Sequence, residues 1–361
     1  MAREPLLDLV DEIQPDVVRP LNVSPSALAG GALVRFRSGE QARIPDRGRA
    51  DERNATILHH ARSCDLPVLV RFGTDASAVE SVQLAFAGIV AEVRTLTSGD
   101  VEVVIAPSSA YHYLRRNRPD FARLKATLDG SIAAHTTVLV SETLEEGIVD
   151  ARPAPPSLTL EWAVGVDPDV HTLQAAPTIS IGQARDAFHA MTGQSCPLPP
   201  KPTTLCIPFL YPRDGCYARA HQMCRLISTL RPGKAWNYGS LKVSTPNDPT
   251  CTIAWSYHVA PVLNVLVGGA GHLFVVDPSM FQDVVPIDQW RHAQSDPNSN
   301  LVLTGPDPYY RDPTGRVMLD SEYKNTELRL HYFQGELLSQ VSRYGPMPYA
   351  QCHRLVERPV A

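Results

Sequence analysis

The chain has 361 residues, of which 43% are hydrophobic and 20% charged, and its net charge is -5. That length accommodates two domains of ordinary size, each with its own core. The acidic balance argues against nucleic acid as a partner, because phosphate binding needs a basic face, and no apolar run approaches the roughly 18 residues of a membrane helix.

The first residues, MAREPLLDLVDEI, scatter acids among apolar side chains. They lack the charged start, apolar middle and small-residue cleavage site of a secretory leader, so a cytoplasmic location is expected. Residues 4–14 read as a short helix. ALVRFRSGEQARI (32–44) reads as a strand, a Ser-Gly turn and a second strand. The charge run RGRADER (47–53) reads as a solvated loop and LPVLVRF (66–72) as a strand. Ala87 to Thr95 and Val101 to Ile105 form a predicted hairpin through Thr97-Ser98-Gly99. A helix over Asp120 to Ala134 precedes a strand at Thr137 to Val140. Residues 1–150 are therefore expected to form a small β-rich α+β domain, with no repeat period.

From Ala151 the composition shifts. Residues 151–177 are Pro-rich and weakly periodic, which suits a linker to a second domain over 178–361. ISIGQARDAFHAMTG (179–193) carries a capping Ser180 and an apolar stripe through Ala184, Ala187, Phe188 and Met191, the pattern of a helix. KAWNYGSLKVS (234–244) and CTIAWSYHVAPVLNVLV (251–267) are β-rich, and Trp255 and Tyr257 share one strand face as core or cleft wall. HLFVVDPSMF (272–281) is a strand that ends at Asp277-Pro278, because Pro278 has no N–H for a ladder. GGAG (268–271) is the turn between these strands and lacks the spacing of a phosphate loop. Residues 292–316 read as loops, and Ser321 to Ser342 as a mixed segment ending in a helix near Glu336 to Ser342.

Seven cysteines leave at least one unpaired, and there is no C-x-x-C pair to suggest a zinc ribbon or redox motif. Most are expected to be small buried apolar residues, with Cys206 and Cys251 a candidate pair in an oxidising setting. His59-His60 beside Cys64 lacks further ligand spacing, so no metal or other cofactor is expected.

Cys216 departs from that default. In DGCYARAHQMCRLI (214–227) the positions Cys216, Ala220, Met223 and Ile227 recur at helical spacing, which describes a half-buried helix. Asp214 is a plausible N-cap and Gly215 lets the backbone turn, so Cys216 falls in the first turn. There the unpaired N–H groups and the positive end of the dipole favour a thiolate and can hold an oxyanion. His221, five residues on, should point to another face in a surface or structural role, and Cys224 belongs to the core. Nucleophilic thiol chemistry also needs an imidazole and a group that orients it. Chain order supplies His258 and Asp277 on consecutive predicted strands, where side chains on one face approach within about 5 Å. The same residues are also compatible with an ordinary strand histidine and an Asp-Pro turn.

The segments CIPFLYPRDGCYARAHQM (206–223), AWSYHVAPVL (254–263) and VVDPSMF (275–281) resemble, in order and spacing, the signature blocks of the bacterial protein-glutaminase (protein-glutamine deamidase) family. The resemblance covers roughly residues 178–345. It implies a catalytic triad of Cys216, His258 and Asp277 and an α+β core like that of papain and transglutaminase. It also implies hydrolysis of glutamine side chains in a protein or peptide, with release of ammonia. Residues 1–150 would then correspond to the family's removable, cleft-blocking pro-region or to a permanent substrate-presenting domain. Two other readings stay open. One is the same thioester passed to an amine, as in transglutaminase-like crosslinking, cyclisation or imide formation; the other is a non-catalytic peptide-binding module.

Overall fold

In ALVRF, strand β2 (Ala32–Phe36), every second side chain is buried, and QARI, β3 (Gln41–Ile44), repeats the alternation out of phase. One face meets a core and the other meets solvent, which is what a period of two produces in a one-sided sheet. This computed structural model describes residues 3–14, 31–144, 147–163, 178–198 and 204–352. Residues 164–177, most of the expected linker, lie outside them; Ala151 to Pro153 at its start close a strand instead.

The N-terminal half contains β1 (Leu6–Gln14), β2, β3, α1 (Arg49–Cys64), β4 (Pro67–Phe72), β5 (Val79–Thr95) and β6 (Val101–Ala106). These are followed by β7 (His112–Leu114), α2 (Phe121–Ala134), β8 (Thr137–Glu142) and β9 (Ile148–Pro153). The strands form an antiparallel sheet in the order β3-β2-β1-β4-β5-β6-β7, with β8 pairing β5 and β9. The predicted hairpins and α2 are found. Residues 4–14 are not a helix. Leu6 to Leu9 pair with β4 and Val10 to Gln14 with β2, and pairing on both edges overrides local preference. The run 47–53 is not a loop but leads into α1, whose Asp51 and Glu52 fill the first turn, where acids suit the dipole.

The second half contains α3 (Ile181–Thr192), α4 (Cys216–Leu226), β10 (Gly233–Ser244), β11 (Thr252–Val267) and β12 (Ala270–Val275). After these come β13 (Val285–Pro286), α5 (Ile287–His292), β14 (Asn300–Thr304), β15 (Pro308–Arg311), β16 (Val317–Leu319) and α6 (Lys324–Tyr344). Ser180 caps α3 in a reciprocal capping box with Gln183. The sheet runs β13-β12-β11-β10-β14, antiparallel throughout. The region 292–316 therefore holds two strands that were expected to be loop, β14 on the edge of β10 and β15 paired with β16. The mixed segment is one helix, α6. Its buried polar residues Thr326, Arg329, Gln334 and Gln340 obscure the apolar stripe in the sequence.

The fold is α+β, as expected. One apolar cluster runs through both halves, from Val68, Leu84 and Phe86 to Tyr217, Trp236, Tyr257 and Phe333. A second lies between α3, α4 and β11, around Phe188, Met223 and Val265. The disulfides are Cys196–Cys206 and Cys251–Cys352, not Cys206–Cys251. A parallel bridge between Ser195 and Ile207 holds the first pair together, and the turn before β11 meets the chain beyond α6 at the second.

Candidate active site

The turn into α4 is made by Gly215, whose φ of 86° lies in the left-handed region that only glycine occupies without strain. Gly215, not Asp214, holds the cap position. Asp214 instead accepts from the Gly215 N–H at 2.6 Å, the Ser109 N–H at 2.9 Å and the hydroxyls of Ser108 and Ser109 at 2.7 and 3.0 Å. The helix is buried on all sides from Cys216 to Cys224 rather than on one stripe. β11 covers one side, and α6 and β15 the others. Arg219 donates through Nη1 to the carbonyls of Tyr211 and Asp214, while Tyr217 Oη, Arg219 Nη2 and Gln222 Oε1 are buried without a hydrogen-bond partner among the described residues. His221 is structural, as expected, but buried. It meets the Asp320 carbonyl and the Lys234 ammonium, and burial with that neighbouring charge lowers its pKa to about 3.

Cys216 stands at the first position of α4 and is 2% exposed. His258 lies opposite Asn237 in the β10–β11 ladder, and Asp277 follows two residues after the end of β12. Asp277 Oδ2 is 2.7 Å from His258 Nε2. Burial by itself would lower the pKa of His258. The charge and hydrogen bond of Asp277, with Cys216 beside the ring as a hydrogen-bonding and charged neighbour, raise it instead. Burial would raise Asp277, but His258, Ser279 and Trp290 hold it below the usual carboxylate range. Nδ1 of His258 is buried with no aligned hydrogen bond of its own. The three residues selected from the sequence thus form one cluster: a thiol at a helix N-terminus, an imidazole kept cationic, and a carboxylate on the far side of that imidazole.

Further side chains complete the site. Ser279 donates to Asp277 Oδ1 at 2.5 Å and Trp290 Nε1 donates to Oδ2 at 2.9 Å. Trp290 sits in the six-residue α5, whose sequence shows no periodic pattern. A two-for-one bulge between Tyr238/Tyr257 and Leu241/Trp255 separates two residues expected on one face. Tyr257 joins the large core, whereas Trp255 packs with Leu241 and Ile253 and stacks on His258.

The N-terminal half supplies one wall of the site. Ser256 N–H donates to the Ser109 carbonyl at 2.9 Å, Ala110 forms an antiparallel bridge with Trp255, and Tyr257 Oη donates to the Pro107 carbonyl at 2.5 Å. Behind this segment, His112 Nδ1 lies 2.8 Å from both oxygens of Glu142, and Nε2 lies 2.8 Å from Ser108 Oγ. Ser108 in turn donates to Asp214, so a chain of polar contacts links Glu142 through His112 and Ser108 to Asp214. Elsewhere, His60 Nε2 meets the His331 carbonyl at 2.7 Å, and Cys64 Sγ lies 3.3 Å from His331 Nδ1. Burial pushes the Cys64 thiol up to about 12, the opposite of an activated nucleophile.

Residues 184–294 match a family model described as glutaminase, a span that begins in α3 and contains Cys216, His258 and Asp277. Among solved structures, pro-protein-glutaminase is similar at 22% identity and a TM-score of 0.52, covering 75% of this chain and 98% of that one. The A47Q2 mutant of the same pro-protein is similar at 23% identity and a TM-score of 0.52, over 74% and 98%. The protein-glutaminase of Chryseobacterium proteolyticum aligns at 28% identity and a TM-score of 0.38, over 48% of this chain and 97% of that one. No curated protein matches. The chain thus has the α+β fold seen in pro-protein-glutaminase, and its residues 184–294 match the glutaminase family model.

Proposed function

We propose that the chain is a cysteine-dependent amidase that hydrolyses the side-chain amide of glutamine in a protein or peptide. The observation that carries this reading is the pairing of Asp277 with His258 at 2.7 Å, with Cys216 beside the same imidazole at the start of α4. The Cys216 thiolate attacks the amide carbon and the carbonyl electrons move to oxygen, where free N–H groups of the helix start can receive them. Collapse expels the amide nitrogen, which takes its proton from the His258 imidazolium and leaves as ammonia. The neutral imidazole then takes a proton from water, the resulting hydroxide opens the thioester, and glutamate and the thiol are formed. Asp277 keeps His258 oriented throughout and stabilises its cationic form before the amide nitrogen leaves and again once water has given up its proton. The glutaminase match supports hydrolysis over acyl transfer to an amine.

Residues 1–150 are read as a cover over this site, in the manner of a pro-region. Support comes from the segment Pro107 to Ala110, which bonds to Asp214, Ser256 and Tyr257 around a Cys216 that is 2% exposed. The substrate is a polypeptide; among the described residues no helix is long and apolar enough to cross a membrane. Two disulfides favour an oxidising compartment over the cytoplasmic location expected from the first residues.

Mass spectrometry of a Gln peptide blocked at both ends tests the reading, with the chain intact and after limited proteolysis. A gain of about one dalton with one ammonia released is expected after proteolysis, whereas a loss of about 17 would mean internal acyl transfer. Cys216→Ala should fold and lose at least about a thousandfold in rate. Undiminished ammonia release from that variant would sink the proposal.

A further inference from the structure

Two indoles pack against the His258 imidazole. Trp255 stacks on it with centroids 4.5 Å apart and planes 10° apart, and Trp290 at 5.5 Å and 28°. The two indoles are not paired with each other among the described ring contacts, as rings on opposite sides of one imidazole would not be. Each is also tied to another part of the site. Trp255 Nε1 donates to the carbonyls of Pro212 and Arg213 at 3.1 and 2.9 Å, on the loop that delivers Cys216. Trp290 Nε1 donates to Asp277 Oδ2 at 2.9 Å, the oxygen that also receives His258 Nε2 at 2.7 Å.

We propose that Trp255 and Trp290 are positioning residues that clamp the His258 imidazole between them, fixing its plane toward Cys216 and favouring its cationic form. Packing on both faces removes free rotation about the Cβ–Cγ bond, so the nitrogen opposite Asp277 stays aimed at one place. The electron-rich faces of two desolvated indoles favour a cation between them. This opposes burial, which acts against any charge at that position. Asp277, after β12, and Cys216, on α4, are the titratable groups that act on the ring. Trp255 is itself fixed to the Cys216 loop, so the clamp also sets the distance between sulfur and imidazole. The inference rests on His258 serving as the proton carrier of the proposed amidase, and it adds the residues that prepare it for that task.

The test is a titration of His258 in the full chain labelled with [15N]histidine, its signal assigned against a His258→Gln control. The ring nitrogen shifts report both tautomer and charge. Trp255→Leu should lower the midpoint by about one pH unit, the size of a buried cation–π contact, and Trp290→Leu should lower it less than that, because loss of its donor to Asp277 acts the other way. Trp255→Phe keeps a ring face and should leave the midpoint nearly unchanged. Trp290→Phe keeps the face but removes the donor to Asp277, whose Oδ2 then serves His258 alone, so the midpoint should rise. In peptide deamidation after limited proteolysis, Trp255→Phe should lower kcat about tenfold with KM unchanged, because the Cys216 loop loses its anchor. A Trp255→Leu variant with native near-UV circular dichroism and an unmoved His258 midpoint would overturn the clamp. Should the leucine variants fail to fold, a falling rather than rising midpoint in Trp290→Phe would overturn it. If wild type released no ammonia at all, the amidase reading would fail, while the titration would still decide the clamp.

Discussion

At the scale of single residues, the site is a problem of keeping one buried imidazole charged. Asp277 does this through a carboxylate whose two oxygens are fully engaged, Oδ1 by Ser279 and Oδ2 by His258 and Trp290. Asp277→Asn preserves the shape and removes the charge. The raised His258 should then fall toward or below its ordinary range. Thiolate–imidazolium chemistry needs the cation, so the alkaline limb of the pH–rate profile should move to lower pH and the maximum rate drop about a thousandfold. The signs for stability follow from the two opposite shifts. The pairing's contribution is lost at the acid end as pH falls through the depressed value of Asp277. It is lost at the alkaline end as pH rises through the raised value of His258. An alkaline limb unchanged in the variant would show that Asp277 does not set the charge of His258. As candidates, Cys216, His258 and Asp277 were legible in the sequence through the signature-like blocks that hold them, since local pattern alone also fitted an ordinary strand histidine and an Asp-Pro turn. Trp290, Ser108 and His112 were not, because their roles arise from contacts between segments far apart in the chain, which leave no periodic trace.

At the scale of elements, α4 is placed by one tight approach. A side-chain carbon on Gly215 would lie 2.5 Å from Phe333 of α6, at a backbone φ of +86°. Gly215→Ala therefore combines left-handed strain with a clash and should cost roughly 2–4 kcal/mol. It should also move the Cys216 N–H and reduce activity. Adding Phe333→Leu should recover the clash component but not the strain, so the two changes should be non-additive in denaturant unfolding. Strict additivity would mean that this approach does not position the helix. The same packing explains where sequence reading stopped. α3 was legible because its polar face is solvated and its cap is local. α6 was not, because residues such as Gln334 are buried with partners in remote loops, at the Thr204 and Cys206 carbonyls, and break the apolar stripe. β1 failed for the complementary reason: its pairing with two different strands outweighs any local pattern.

At the scale of the whole molecule, the two halves meet through charge as well as through apolar packing. Glu142 and His112 from the N-terminal half face Asp214, Arg213 and Glu336 from the C-terminal half, with Tyr211 and Tyr332 in the same pocket wall. Glu336 is the member out of balance. Burial and the nearby Glu142 raise its pKa from 4.5 to about 8, with Arg213 acting the other way. Its folded value lies above its unfolded one, so the native state holds this proton more tightly. Stability must then fall as pH rises between about 4.5 and 8 and level off above that range. Glu336→Gln keeps the size and removes the titration. Part of the Glu336 side chain remains accessible, which dilutes the effect to on the order of 1 kcal/mol. Scanning calorimetry should show wild type and variant melting together near pH 4.5, with the variant higher by about 1–3 °C at pH 8. The added negative charge in wild type falls on the seam between the halves, beside the Glu142–His112–Ser108–Asp214 chain of hydrogen bonds. Protease cutting between the halves should therefore speed up above pH 8 in wild type and much less in Glu336→Gln. Parallel melting curves across the whole pH range would show that Glu336 is ionised in the folded chain and that this seam is indifferent to its charge.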